Sequence, residues 1–453
     1  MAQPPDLDVS YAASVIGAIW YLALWAISLL GCWESRKRYR CRPRSPLASK
    51  PSNTVPGVSI LRPLKGLDAN LYENLETTFL QEYSNFEILF SVADERDQAL
   101  SVVRELITKY PQVKAKIITG EEVVGVNPKI NNLIRSYGQA AHDILWILDS
   151  NVGVDRGTLA RAVDVLTGPY SQGHNRLGKP IALVHHVPFA VSSRSTIGSR
   201  IEEAFLNTNH AKMYVALNTL AWDSCVVGKS NLYRRSDLER VTGPHKKANT
   251  RGGDSPEQER GLRAFARYLA EDNTIANSLW HELDIRHDLS CDIARNVVEN
   301  MTLSDYIWRR VRWIRVRRAM VLAATLLEPL TESVVLSLIG SASLRFLFSV
   351  PIWATLLAHY SFWLFVDFDV YTSLAGQPMP WDGRSQFLAA WAARELMALP
   401  IWLLAMCGND VTWRGERYTM LKNGEVEKAT STTGWTRFWL SRRRDDYEPL
   451  ATM

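Results

Sequence analysis

Apolar and polar positions divide the chain into three regimes. Residues 11–32 (YAASVIGAIWYLALWAISLLGC) run for 22 positions without a charge, enough at about 1.5 Å per residue to cross a bilayer. Residues 57–302 alternate short apolar runs with helical periodicity. VSILRP (58–63), FEILFSVAD (86–94), KAKIIT (114–119) and DILWILDSN (143–151) read as strands. LDANLYENLETTFLQ (67–81), VVRELITKY (102–110) and NPKINNLIRSYGQAA (127–141) read as the helices between them. Strands separated by helices of this length predict an α/β domain on a mostly parallel sheet, with ligands at the carboxyl ends of strands. The third regime begins with LSDYIWRRVRWIRVRR (303–318) and continues in apolar runs at about 319–341, 344–366 and 386–407.

The remaining segments are connections. Residues 33–56 read as a basic Pro/Ser linker, and 168–180 and 243–261 as hydrophilic loop insertions. Residues 1–10 and 408–453 are polar ends. Asp6 and Asp8 precede the first apolar run and SRKRYRCRPR follows it, so the positive-inside rule places residue 35 onward in the cytosol and residues 1–10 outside. The side of the tail stays open: three C-terminal spans put it opposite the catalytic domain, whereas its basic residues favour the cytosol. Glu328 and Glu332 within the 319–341 run are either paired inside a kinked span or line an entrance.

Composition narrows the class. Among 453 residues, 47% are hydrophobic and 16 are Trp, yet the mean hydropathy of −0.12 requires a polar domain beside the apolar runs. The net charge of +5 is concentrated at 36–44, 309–318 and 442–444. Those clusters adjoin apolar runs or a terminus, which points to lipid phosphates; no nucleic-acid-binding motif is present. The 303–318 stretch, with six arginines and two tryptophans, reads as an amphipathic helix at the membrane interface. Five scattered cysteines without C-x-x-C spacing exclude a disulfide framework or zinc site and fit a reducing compartment.

Chemistry enters at strand ends and helix starts. Asp149-Ser150-Asn151 follows the apolar ILWIL, and alternate residues at a strand end share a side. A carboxylate and an amide oxygen there suit a hard cation such as Mg²⁺ or Mn²⁺, although the same pattern also serves as a turn or helix cap. Asp94 ends FSVAD in a similar position. Glu271-Asp272 lies in the helical ARYLAEDNTIANSL, as a general base or as a solvated acidic pair. Arg309-x-x-Arg312-Trp313 places two guanidiniums and an indole on one helical face.

In this order, Asp94, Asp149-x-Asn151, Asp272 and R-x-x-R-W resemble the ordered aspartates and [QR]-x-x-R-W motif of membrane glycosyltransferases with a GT-A fold. RPLKGLDANLYENLET (62–77), NPKINNL (127–133) and TNHAKMYVALN (208–218) resemble the ceramide glucosyltransferase family, across about residues 11–420. The resemblance implies a GT-A domain between an N-terminal anchor and C-terminal membrane helices, on the cytosolic face of Golgi or ER membranes. It implies UDP-glucose as donor, ceramide as acceptor and an inverted linkage. Asp94 would then bind donor, Asp149 and Asn151 a divalent cation, and Asp272 would be the base. Arg309, Arg312 and Trp313 would serve the leaving group and acceptor, with Lys65, Lys129 and His210 as further substrate contacts. Asn151 stands where a strict D-x-D has a second carboxylate. Other lipid acceptors (a sterol or a diacylglycerol) and an inactive membrane scaffold are the competing readings.

Overall fold

The computed structural model describes residues 9–168, 178–192, 196–243, 259–413, 416–421 and 424–428. The expected insertions at 168–180 and 243–261 lie mostly outside the described residues, as do residues 1–8 and the tail beyond 428. The N-terminal anchor is helix α1 (Val9–Tyr39), seven residues longer at its carboxyl end than the uncharged run. Its last turns carry the basic cluster, and these arginines pair within the protein. Arg36 and Arg40 bind Asp369 at 2.5 and 2.8 Å, Arg38 binds Asp288 at 2.9 Å and Arg42 binds Asp155 at 2.7 Å. Nearby carboxylates thus take four of the charges that the sequence assigns to lipid phosphates, while Lys37, Arg40 and Arg44 stay exposed.

The α/β domain follows the expected alternation: β1 (Val58–Leu64), α2 (Leu71–Phe79), β2 (Phe86–Val92), α3 (Ala99–Lys109), β3 (Ala115–Thr119), α4 (Pro128–Gln139) and β4 (Ile144–Leu148). It continues with β5 (Val152–Gly153), α5 (Thr158–Thr167), β6 (Ile181–Ser192), α6 (Ile197–Phe205), α7 (Ala211–Leu220), β7 (Ser230–Arg234), α8 (Arg235–Leu238), α9 (Glu271–Glu282) and β8 (Arg286–Val298). One eight-stranded sheet has the order β3-β2-β1-β4-β7-β6-β8-β5. The first four strands are parallel, whereas β7 runs against both β4 and β6. This is the mixed α/β sheet that the family resemblance implies. Continuous apolar runs form β1 and β4 because both faces are covered. Ile60 and Trp146 enter one core layer, and their neighbours Leu61, Leu145 and Ile147 the other.

Strand order reverses between β1 and β4, so the loops leaving their carboxyl ends open a crevice there. Behind it stand α10 (Leu303–Met320), α11 (Leu322–Leu327), α12 (Ser333–Phe348), α13 (Ile352–Ala375) and α14 (Arg384–Met406). The expected break near residue 342 lies elsewhere. The chain bends by 66° at Glu332, after Pro329, and turns again at Ser349 (φ +56°) before Pro351 starts α13. Among the described residues, two helical stretches qualify as membrane spans by length and apolar composition, Val9–Tyr39 and Trp381–Met406, with the bent pair a third if it counts as one span. Glu328 and Glu332 are paired, with Arg317 and, at 2.6 Å, with Arg394. They also line a small cavity with Phe205, Arg310 and Arg394, so the expectation that they are paired holds. Three short strands, β9 (Asp410–Trp413), β10 (Glu416–Met420) and β11 (Val426–Lys428), close the described chain as a separate antiparallel sheet.

Candidate active site

Asp149 is the centre of the crevice. Its backbone N–H donates to the Lys229 carbonyl at 3.1 Å, which extends the β4–β7 ladder by one step. Its carboxylate is held on both oxygens: Oδ1 lies 2.9 Å from Lys129 Nζ and Oδ2 lies 3.1 Å from Lys229 Nζ. Burial alone would raise its pKa, but the two ammoniums hold it well below the usual carboxylate range. At Lys129 burial lowers the pKa, but Asp149, Glu271 and Asp272 together outweigh it and the pKa rises; at Lys229 burial prevails over Asp149 and the pKa falls.

The sequence explains where Lys129 points. In NPKINNL, the Asn127 side chain accepts from the Lys129 and Ile130 amides at 2.8 and 3.3 Å, and Pro128 occupies the first turn, so α4 starts abruptly there. Asn127 Nδ2 donates at 3.0 Å to Glu271 at the start of α9 and at 2.7 Å to the Tyr268 carbonyl. Glu271 also pairs with Lys129 at 2.9 Å. The helix start thus ties Asp149 to the Glu271-Asp272 pair. Asn132 fixes the crevice floor, donating to the Leu64 and Ser91 carbonyls of β1 and β2 at 3.1 Å each.

Asp272 is only 9% exposed. Burial raises its pKa to about 7, with the adjacent Glu271 charge adding to the rise. Gly228 lies directly against its carboxylate: a Cβ at that position would strike Asp272 Oδ2. The solvated-pair reading of Glu271-Asp272 is therefore corrected, because both are buried at the crevice.

Asn151, two residues beyond Asp149, accepts from Lys229 Nζ at 3.1 Å and donates to Asn296 Oδ1 at 3.0 Å. Its oxygen and Asp149 Oδ2 thus converge on one cationic nitrogen, a stand-in whose position fits a hard cation in donor type and convergence. Among the described residues no group of three His, Cys, Asp or Glu side chains could hold a metal; the pair would leave most positions to donor oxygens and water.

Asp94 is exposed on the loop after β2 and accepts from the Arg96 amide at 2.8 Å. Lys65 is exposed after β1, without an ion pair among the described residues. Arg309 binds buried Glu202 at 2.8 Å, and its charge reaches Lys229. Arg312 donates to the Thr412 carbonyl at 3.3 Å; burial first, then Arg309, lowers its pKa to about 10. Trp313 is half-buried beside it. His210 stands apart, stacked on Tyr214 at 5.6 Å, with Nδ1 lacking a partner among the described residues.

Three residues escaped sequence reasoning. Lys229 carries no motif around it. Arg62, fully buried, donates to the Val152 carbonyl at 3.1 Å behind Asp149; an arginine inside the apolar VSILRPL was the available signal. Asp97 accepts from the Gly66 amide at 2.9 Å and so anchors the loop after β1.

The sequence matches glycosyl transferase family 21 over residues 19–249 and 257–426. A ceramide glucosyltransferase of Komagataella phaffii is 36% identical over 461 residues, covering 89% of this chain and 89% of the relative. That of Candida albicans is 31% identical, covering 90% of this chain and 96% of the relative. Among solved structures, a mannosyltransferase of Pyrobaculum calidifontis in complex with GDP-mannose and Mn²⁺ aligns with a TM-score of 0.44 at 18% identity, over 85% of this chain and 99% of its own.

Proposed function

The chain belongs to glycosyl transferase family 21, and from that premise we propose that it transfers glucose from UDP-glucose to the primary hydroxyl of ceramide, inverting the anomeric centre. It is a glycosyltransferase, with curated ceramide glucosyltransferases among its relatives. The observation that carries the finer reading is the chain Asp149–Lys129–Glu271 beside Asp272: one anion site and one carboxyl of raised pKa, joined by a single lysine.

Lys129 and Arg309, with Asp94 and Lys65 on the flanking loops, orient the nucleotide at the switch of strand order. Asp149 and Asn151 would hold the divalent cation, Mg²⁺ or Mn²⁺, whose charge neutralises the diphosphate. Asp272 accepts the proton of the ceramide hydroxyl as that oxygen bonds to the anomeric carbon. The bond from that carbon to the β-phosphate oxygen breaks, and UDP leaves with the electron pair. Arg309 and Arg312 stabilise the charge that develops on it. Trp313 and His210 contact the acceptor, which approaches from the bilayer past the cavity at Arg310, Glu332 and Arg394. The protein would be a multi-pass membrane protein of the Golgi or ER with this domain in the cytosol.

The test is transfer from radiolabelled UDP-glucose in detergent micelles to ceramide, a sterol or a diacylglycerol, with and without EDTA. Label is expected in ceramide alone. The Asp272→Asn variant should lose at least about 10³-fold in kcat while still binding UDP-glucose. Normal turnover by that variant would remove Asp272 from the role of base. Label in another lipid would overturn the acceptor, and none with any lipid would favour an inactive scaffold.

A further inference from the structure

Lys229 sits on a strained backbone, with φ of +131°, a value that L residues rarely adopt. Strand pairing forces the position: Leu148 and Ser230 are in register, and the Asp149 amide closes on the Lys229 carbonyl. Glycine would relieve the strain, and glycine is the preceding residue. A lysine at the strained position is an outlier that calls for a purpose.

Its side chain supplies one. Nζ stands 3.1 Å from Asp149 Oδ2 and 3.1 Å from Asn151 Oδ1, the two oxygens that a divalent cation would need. A cation bound there at about 2.0–2.6 Å from each oxygen would overlap the ammonium. The remaining Asp149 oxygen is already on Lys129, which Glu271 shares. No further carboxylate among the described residues completes a metal shell.

We propose that Lys229 is a resident cation of the donor site: it occupies the Asp149–Asn151 pair in the metal-free protein, meets the donor diphosphate there, and has to be displaced before a divalent ion can bind. The inference rests on the nucleotide-sugar reading above. It makes metal dependence a property tuned by one side chain. Two opposed effects follow from one neutral substitution, and a merely structural lysine would not produce the gain.

The full-length protein in detergent is titrated with Mn²⁺, free ion being read by its electron paramagnetic resonance signal. Separately, UDP affinity is measured in EDTA by calorimetry. Lys229→Gln should bind Mn²⁺ about tenfold tighter than the parent and UDP in EDTA about tenfold weaker. Lys229→Arg, which keeps the charge, should stay close to the parent in both and controls for folding. Unchanged Mn²⁺ affinity in Lys229→Gln, or an equal gain in Lys229→Arg, would overturn the proposal. Undiminished UDP binding by Lys229→Gln in EDTA would remove its contact with the diphosphate. Failure of all three proteins to bind UDP in any condition would sink the nucleotide-sugar reading itself, and the Mn²⁺ titration would still decide the role of Lys229.

Discussion

A buried carboxyl can act as a base near neutral pH only if its pKa lies near the working pH, and two neighbours set that value for Asp272. Burial raises it and the Glu271 charge raises it further, to about 7. The reactive form is the ionised one, so kcat/KM should climb with pH along a limb centred near 7. Glu271→Gln removes a charge that disfavours the ionised form, so the limb should move to lower pH; a limb that stays put would show that Glu271 does not act on the base. Gly228 offers a steric test of the same carboxyl. Gly228→Ala should lower kcat by about 10²-fold through displacement of Asp272, with UDP binding retained by calorimetry; unimpaired kcat would refute the close packing. Much at this scale was legible. Asp149, Asn151, Lys129 and Asp272 meet at one crevice, as the motif order implies. Lys229 and Gly228 were not legible, because their importance depends on a register between β4 and β7 that no local pattern encodes.

Elements locate the site through their ends. The NPK start of α4 is the clearest case, since one asparagine caps a helix and also reaches α9. Asn127→Ala removes the cap and leaves the Tyr268 carbonyl without its buried donor, which should cost about 2 kcal/mol. A lower thermal midpoint in detergent would report it, and an unchanged midpoint would mean that the cap contributes nothing. The 303–318 helix shows the opposite relation between pattern and structure. Its helical state was readable; the structure adds a capping box between Thr302 and Asp305 at its start. The targets of its arginines were not. Arg315 and Arg318 donate to the Ala405, Met406 and Gly408 carbonyls at the end of α14, which leaves those groups satisfied and complements the helix dipole. A basic stripe looks the same in sequence whether it meets lipid phosphates or the carbonyl end of another helix. The bend at Glu332 was the more legible feature, since Glu328, Pro329 and Glu332 interrupt the apolar run there.

At the scale of the whole molecule, contacts bear on a question that charge counting left open. The strands after α14 pack on the catalytic domain: the Val426 amide donates to the Arg267 carbonyl at 3.1 Å and Arg312 reaches the Thr412 carbonyl. The described part of the tail therefore packs against the catalytic domain, and we expect the chain between α10 and β9 to cross the membrane an even number of times. Helix α13 runs alongside α1 in the same direction, with Tyr21 against His359, Trp25 against Trp363 and Arg40 against Asp369. Helix α12 runs the other way, with Tyr21 against Gly340 and Gly17 against Ser343. We expect the bent segment to lead outward and α13 to return, although α13 is not among the stretches apolar enough to qualify as spans. Helix α14, apolar enough to span, begins with Phe387 packed on Phe368 and Tyr371 near the carboxyl end of α13, and its last carbonyls meet α10. We expect it to lie along the catalytic domain without crossing. Glycosylation mapping in microsomes distinguishes the arrangements. An acceptor sequon inserted at the 349–351 turn, with a spacer to clear the bilayer, should be modified, and one at the Gly424 turn should not. Modification at Gly424 would restore three C-terminal spans and would require the packing of β9–β11 on the catalytic domain to be wrong.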